Sequence, residues 1–205
     1  LASGCLLVSV DYRLAPECPY PAGLNDLETV LFGIEERLTD LGLVHGAGLY
    51  VAGDSGGAAI TASAVQRLSL MEEAPEIHKQ LLIYPSLDYG MGYPSMTELG
   101  AGYLLEAERI RWLFDQYFQH DEDRIAASPL HMSMGSKMPE TLLIMAGFDP
   151  LKDEAAAYAD RLRHAGHRAE LIEFPDMIHA FLNLESYVPE ANAKAYQAMG
   201  DFLRE

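Results

Sequence analysis

Positive charge is scarce in this chain: 14 Lys and Arg stand against 31 Asp and Glu, a formal net charge of −17. A surface of that sign repels phosphate backbones and anionic lipid, so neither nucleic acid nor a membrane surface is an expected partner. Solubility alone accounts for such acidity. Long apolar runs are also missing. None approaches the roughly 18 residues needed to cross a bilayer, so no membrane insertion is expected. Cysteine is limited to Cys5 and Cys18. That offers no disulfide framework and points to a reducing compartment, the cytoplasm. Cys5 lies in an apolar run and is expected as a buried thiol. No signal peptide is visible, yet Leu1 leads almost at once into a buried-strand pattern, so the natural N-terminus is expected upstream of it. Repeats and low-complexity tracts are lacking. What is present is 205 residues, 49% of them apolar, enough for one domain with a sizeable core.

Five short apolar runs read as buried parallel strands: Cys5 to Val10, Leu49 to Ala52, Gln80 to Tyr84, Thr141 to Ala146 and Ala169 to Phe174. Helical patterns alternate with them. Leu24, Leu27, Leu31, Ile34, Leu38 and Leu41 recur at steps of three and four, an apolar stripe on one helix. Tyr158, Leu162 and Ala165 repeat the pattern, with Gly166 placed to end that helix. A last helix carries Tyr196, Met199, Phe202 and Leu203. The alternation implies an α/β fold, a mostly parallel sheet with helices on both faces. Residues 88–129 interrupt it, being too long for a plain crossover. They open with a Gly- and Pro-containing loop, after which Ile110, Leu113, Phe114, Tyr117 and Phe118 make an apolar helix face. An excursion of this kind above the sheet is where a lid over a binding site would sit. Leu113 and Phe114 are its expected substrate contacts.

Gly53-Asp54-Ser55-Gly56-Gly57 has the form G-x-S-x-G. A serine at a sharp strand-to-helix turn takes a strained backbone conformation, and glycines two before and two after leave room for it. The turn raises the hydroxyl above the sheet edge and aims the next backbone N–H, that of Gly56, at the same place. Leu49 to Ala52 supply the strand before, and the small-residue-rich stretch Ala58 to Leu70 the helix after. The same pentapeptide occurs in trypsin-like proteases, but those domains are all-β and place both His and Asp ahead of the serine. Here a helix follows the serine, and His45 is the only histidine upstream of it.

A serine hydroxyl needs a base. His164 and His167 flank a helix end, where a cation sits well beside the carbonyls, and show no third metal ligand. His45, His78, His120 and His131 lie in polar, loop-like contexts. His179 differs: it stands just past the last strand, where a loop can carry it over the C-terminal edge of the sheet. The acid that holds its tautomer is expected to be Asp149, after the run Thr141 to Ala146. Asp153, close behind, is expected to open the next helix instead. The order Ser55, Asp149, His179 is that of α/β-hydrolases.

With these residues in place, the chain resembles the hormone-sensitive-lipase family of carboxylesterases. The matching blocks are Val10-Asp11-Tyr12-Arg13-Leu14-Ala15-Pro16-Glu17, Gly53-Asp54-Ser55-Gly56-Gly57, Asp149-Pro150-Leu151-Lys152-Asp153-Glu154 and Ile178-His179-Ala180-Phe181. The first block resembles a structural loop of the family, in which Arg13 and Glu17 would pair. Two departures are small: Gly56 and Ala58 stand in the elbow where the family has Ala and Gly, and Ala180 follows the histidine in place of glycine. The family also carries His-Gly-Gly-Gly ahead of the first block, and this sequence has no such run. The N-terminal strands and most of the oxyanion loop are therefore expected to be missing. That would leave a gap between the run Cys5 to Val10 and the elbow strand, and little activity in the 205 residues alone.

The resemblance implies an α/β-hydrolase fold and hydrolysis of small carboxylic esters of short to medium acyl chains. Ser55, Asp149 and His179 would be catalytic, Gly56 an oxyanion donor, and no metal or cofactor would be needed. Two alternatives stay open: an amidase or peptidase on the same scaffold, and a receptor-like binding protein that keeps the fold without the chemistry.

Overall fold

A computed structural model of the chain describes residues 3–43, 46 and 48–204; His45 lies outside them. Four parallel strands pair in chain order: β1 (Leu49–Asp54), β2 (Ile77–Ile83), β3 (Glu140–Phe148) and β4 (Ala169–Ile178). Parallel neighbours need a crossover, and helices supply it. α1 (Ala22–Asp40) precedes β1, and α2 (Gly56–Ser69) links β1 to β2. Between β2 and β3 lie α3 (Pro94–Glu98), α4 (Ala107–Tyr117) and α5 (Arg124–Ala127). α6 (Lys152–His164) links β3 to β4, and α7 (Pro189–Arg204) closes the chain.

The inner strands β2 and β3 are buried on both faces because they are apolar at successive positions, while the edge strands β1 and β4 are only partly covered. Register pairs Leu81 with Leu142 and Leu82 with Leu143. Side chains alternate along a strand, so each pair serves a different face. Leu82 and Leu143 join Leu24, Ala58, Val65, Tyr158 and Leu162 in a core shared with α1, α2 and α6. Leu81, Leu142 and Ile144 pack instead against Phe181, Met199 and Phe202, under α7. A third cluster holds Tyr89, Ile110, Phe114 and Phe118 beside Ala59 and Leu151, and it roots the 88–129 excursion on α2 and the start of α6.

β1, β3 and β4 outrun their apolar runs at the C-terminal end, whereas β2 stops one residue short of Tyr84, so that Ser55, Tyr84, Asp149 and His179 are each the first residue beyond a strand. Near that edge the β3–β4 ladder shifts register between Ala146 and Phe148. The bulge falls where the two strands lead into Asp149 and His179.

One expected strand does not form. Cys5 to Val10 is irregular, with Leu6, Leu7 and Val8 exposed at 49%, 86% and 44%. Cys5 is exposed rather than buried. A strand exists through the neighbour that satisfies its N–H and C=O groups. Among the described residues this run pairs with nothing, β1 included, and β1 is an edge of the sheet. Two helix stripes are also narrower than their sequence patterns. Leu41 is 55% exposed, and on α7 it is Asn192 and Ala195, not Tyr196, that turn inward. α6 ends as expected, with Gly166 at a φ of +87° and the His167 N–H closing back on the Leu162 carbonyl at 3.0 Å.

Candidate active site

β1 delivers the chain to Ser55 and α2 carries it away within one residue. That turn puts Ser55 at φ 51°, ψ −118°, a conformation that costs an L-residue about 1–3 kcal/mol. Hydrogen bonds hold it. The Ser55 N–H donates to the Ile83 carbonyl at 2.9 Å, and the Ser55 carbonyl accepts from Ala59 N at 3.2 Å and Ser86 N at 3.3 Å. The two flanking glycines act differently. A Cβ on Gly53 would lie 2.4 Å from the Gly57 carbonyl oxygen, so strand and helix approach only because Gly53 has none. A Cβ on Gly57 would meet only the Tyr12 hydroxyl, at 3.7 Å. Gly56 opens α2, so its N–H is among the first-turn donors that have no acceptor within the helix.

His179 follows β4 directly and is 5% exposed. Its Nε2 lies 3.0 Å from Ser55 Oγ and its Nδ1 2.7 Å from Asp149 Oδ2. A carboxylate can only accept, so the Asp149 contact places the imidazole proton on Nδ1 and leaves the Nε2 lone pair facing the serine hydroxyl. Asp149 is 1% exposed, and its second oxygen accepts the Leu151 N–H at 2.9 Å. Asp153 stands in the first turn of α6, as expected, and its carboxylate accepts the Ser95 N–H at 2.9 Å, away from His179. Three other histidines are engaged elsewhere: His78 with Leu49 N, His131 with Asp88, and His164 with the Asp160 carbonyl.

A cavity of about 300 Å³ opens beside Ser55 and Gly56. From α4 it is lined by Ile110, Leu113, Phe114 and Tyr117, among others, so both expected substrate contacts border it. The loop of the first block borders it too, through Tyr12, Leu14 and Pro16. Its arginine does not pair with Glu17: Arg13 grips Asp26, with Nη2 2.7 Å from one oxygen and Nε 2.9 Å from the other. Asp26 sits on α1, so this surface pair ties the loop to that helix. Burial and the charge of Asp54 raise the Tyr12 phenol above its ordinary value.

Three residues around the site were not among the expected site residues, although Glu154 closes one of the matching blocks. The Tyr84 ring packs at 4.9 Å from the His179 ring. Ser86 bonds the Ser55 carbonyl through its backbone. Glu154, 1% exposed, accepts the Leu87 N–H at 2.7 Å. Burial pushes its carboxyl well above the usual range, with the charge of Asp88 adding to the effect. Each contact joins residues far apart in sequence, which local patterns do not report.

A family model described as alpha/beta hydrolase fold matches residues 1–183. The chain belongs to this family, in its hormone-sensitive-lipase-like branch. It is 33% identical over 192 residues to the ethyl acetate hydrolase of Pseudomonas putida, covering 93% of this chain and 60% of that protein. The carboxylic ester hydrolase LipN of Mycobacterium tuberculosis is 37% identical over 186 residues, covering 87% and 49%. The chain thus spans about half to three-fifths of these relatives' length. Among solved structures, the esterase LipW of Mycobacterium marinum superposes with a TM-score of 0.87 at 32% identity, over 99% of this chain and 63% of that one. The esterase of the archaeon Pyrobaculum calidifontis gives 0.89 at 32%, over 99% and 65%.

Proposed function

We propose that this hydrolase-fold chain carries the reacting groups of a serine esterase that cleaves small carboxylic esters through an acyl-enzyme intermediate. The observation that carries the reading is the continuous contact from Ser55 Oγ through His179 to a buried Asp149, at 3.0 and 2.7 Å. His179 Nε2 takes the hydroxyl proton as Ser55 attacks the ester carbonyl. Asp149 stabilises the imidazolium that results. The Gly56 N–H donates to the oxyanion. The alcohol leaves with the proton from His179, and water, activated by the same imidazole, releases the acid.

The apolar lining of the cavity supports an acyl chain as its occupant, with Leu113 and Phe114 as contacts and residues 88–129 as a lid. Short to medium chains suit its size. No residue of this scheme calls on a metal or cofactor. Among the described residues no helix is long and apolar enough to cross a membrane. Both cysteines are free, which fits a cytoplasmic setting.

A fluorophosphonate ester tests the reading directly. Mass spectrometry should find one adduct, on Ser55. Ser55→Ala should take up none, and His179→Ala should slow labelling by about 10³-fold or more. Asp149→Asn should be severe and Asp153→Asn mild. An unlabelled wild-type protein would favour a binding protein on this scaffold, and faster turnover of p-nitroanilides than of p-nitrophenyl esters would favour an amidase. Leu113→Ala should change acyl-chain preference more than stability.

A further inference from the structure

The sheet order sets a reach problem. Ser55 follows β1 and His179 follows β4, three strand spacings apart, or roughly 14 Å. Their contact at 3.0 Å therefore requires the imidazole to lie across the C-terminal ends of β2 and β3. Asp149 serves the end of β3. At the end of β2, in the corresponding position, stands Tyr84.

Tyr84 has the marks of a residue held there at a cost. Its φ is 34°, in the left-handed region that a bulky side chain avoids. Two other non-glycine residues with positive φ border the same imidazole, Ser55 at 51° and Ala180 at 60°. The Tyr84 N–H is fixed on the Ile144 carbonyl at 2.6 Å, and the residue is 2% exposed. Its ring centroid lies 4.9 Å from that of His179, tilted by 60°. Behind it the ring abuts Phe181 at 6.0 Å, and Phe181 abuts Phe174 at 5.0 Å. The imidazole thus rests on the end of an aromatic column seated in the core under α7.

We infer that Tyr84 is a positioning residue for His179: its ring fixes the imidazole between Asp149 and Ser55 and presents a π face to the positive charge the imidazole acquires as it takes the serine proton. This rests on the hydrolase reading above. An aromatic face attracts a cation and favours a neutral ring far less, so the interaction strengthens as the proton moves. The charged and titratable groups near the ring pair are Asp149 after β3, Asp54 at the end of β1 and Tyr196 on α7. The two carboxylates act on the imidazolium from other directions and remain in a Tyr84 variant.

The test compares Tyr84→Phe with Tyr84→Leu in the whole chain, both checked for native fold by circular dichroism. Tyr84→Phe keeps the ring and should label with a fluorophosphonate at a rate within about twofold of wild type. Tyr84→Leu should label roughly 3- to 30-fold more slowly, in the maximal rate and not in the concentration for half-saturation. A readout independent of turnover is the downfield proton resonance of His179 Nδ1–H in its bond to Asp149. It should persist in Tyr84→Phe and broaden or vanish in folded Tyr84→Leu. An unchanged resonance and labelling rate in folded Tyr84→Leu would overturn the inference. Absence of labelling in wild type would overturn the hydrolase reading instead, leaving the resonance to decide the role of Tyr84 by itself.

Discussion

Gly53 and Gly57 bracket the serine symmetrically in sequence, but the structure makes one of them indispensable. In Gly53→Ala the new Cβ would sit 2.4 Å from the Gly57 oxygen, 2.5 Å from its carbonyl carbon and 2.7 Å from Ala58 N. All three are backbone atoms, so no rotamer change relieves the clash. Ordinary contact begins near 3.4 Å, so α2 must retreat from β1 by about 1 Å. Ala58, Ala62 and Ala64 are fully buried on that helix, and the retreat loosens the whole interface. Overpacking of this kind costs about 2–3 kcal/mol, or a fall in Tm of about 4–12 °C for a domain of this size. The shift also moves Ser55 against His179, and a 1 Å misplacement of reacting groups costs roughly 100-fold in rate. Gly57→Ala has no such clash, its φ is not left-handed, and it adds a better helix former to the first turn of α2. Its Tm should match or exceed that of wild type. Thermal unfolding followed by circular dichroism, with fluorophosphonate labelling alongside, measures both effects. Equal Tm values for the two variants would refute the argument from strand–helix approach.

Glu154 should make stability depend on pH. Its folded-state carboxyl titrates well above the ordinary value, so its contribution is complete below about pH 4.3 and is lost as pH rises toward the raised value. Glu154→Gln should therefore gain stability relative to wild type between pH 4.5 and pH 8; urea unfolding at the two pH values checks this, and an identical difference at both sinks it. Lys79, 8% exposed on β2, donates from Nζ to the Phe202 carbonyl at the end of α7 and lies 5.0 Å from the Phe202 ring. Lys79→Met keeps the apolar stem and removes the donor, at a cost of about 1.5–3 kcal/mol, and should speed hydrogen exchange in the last turn of α7. Ala180→Gly relieves a left-handed alanine and should raise stability by about 0.5–1 kcal/mol in the same unfolding assay, with labelling unchanged.

Burial drives the legible part of this fold. Runs such as Thr141 to Ala146 are apolar at successive positions because both sheet faces are covered, and four of the five such runs mark strands. Their ends were hidden because the last strand residues look like turn formers: Gly53 and Asp54, still paired on β1, and Pro175 and Asp176, which β4 carries through the register shift. The run Cys5 to Val10 fails for the complementary reason. Apolar composition registers a tendency to be buried, but a strand also needs a specific partner, which composition does not encode. Ser55, Asp149 and His179 were readable because motif spacing and strand ends place them. Tyr84 and Glu154 were not, since each acts through a contact made only when β2, β3 and β4 come together.

The strain at the site has a single geometric origin. Parallel strands end along one edge, and each must hand its chain to a crossover while aiming a side chain back across the neighbouring ends. Ser55, Tyr84 and Ala180 accept left-handed backbones to do so, at about 1–3 kcal/mol each. The sum approaches the whole net stability of a typical domain, about 5–15 kcal/mol. Such a cost persists only where the surroundings leave the chain no alternative. Here they do: Ser55 N is tied to Ile83, Tyr84 N to Ile144, and the Ala180 carbonyl accepts from Asn183 N at 3.0 Å. The anchors Ile83 and Ile144 lie at the edge of, and in, the apolar core that the sequence specifies most strongly. The two-sided core around β2 and β3 therefore does more than stabilise the fold: it supplies the free energy that keeps Ser55 and Tyr84 in conformations they would not adopt alone.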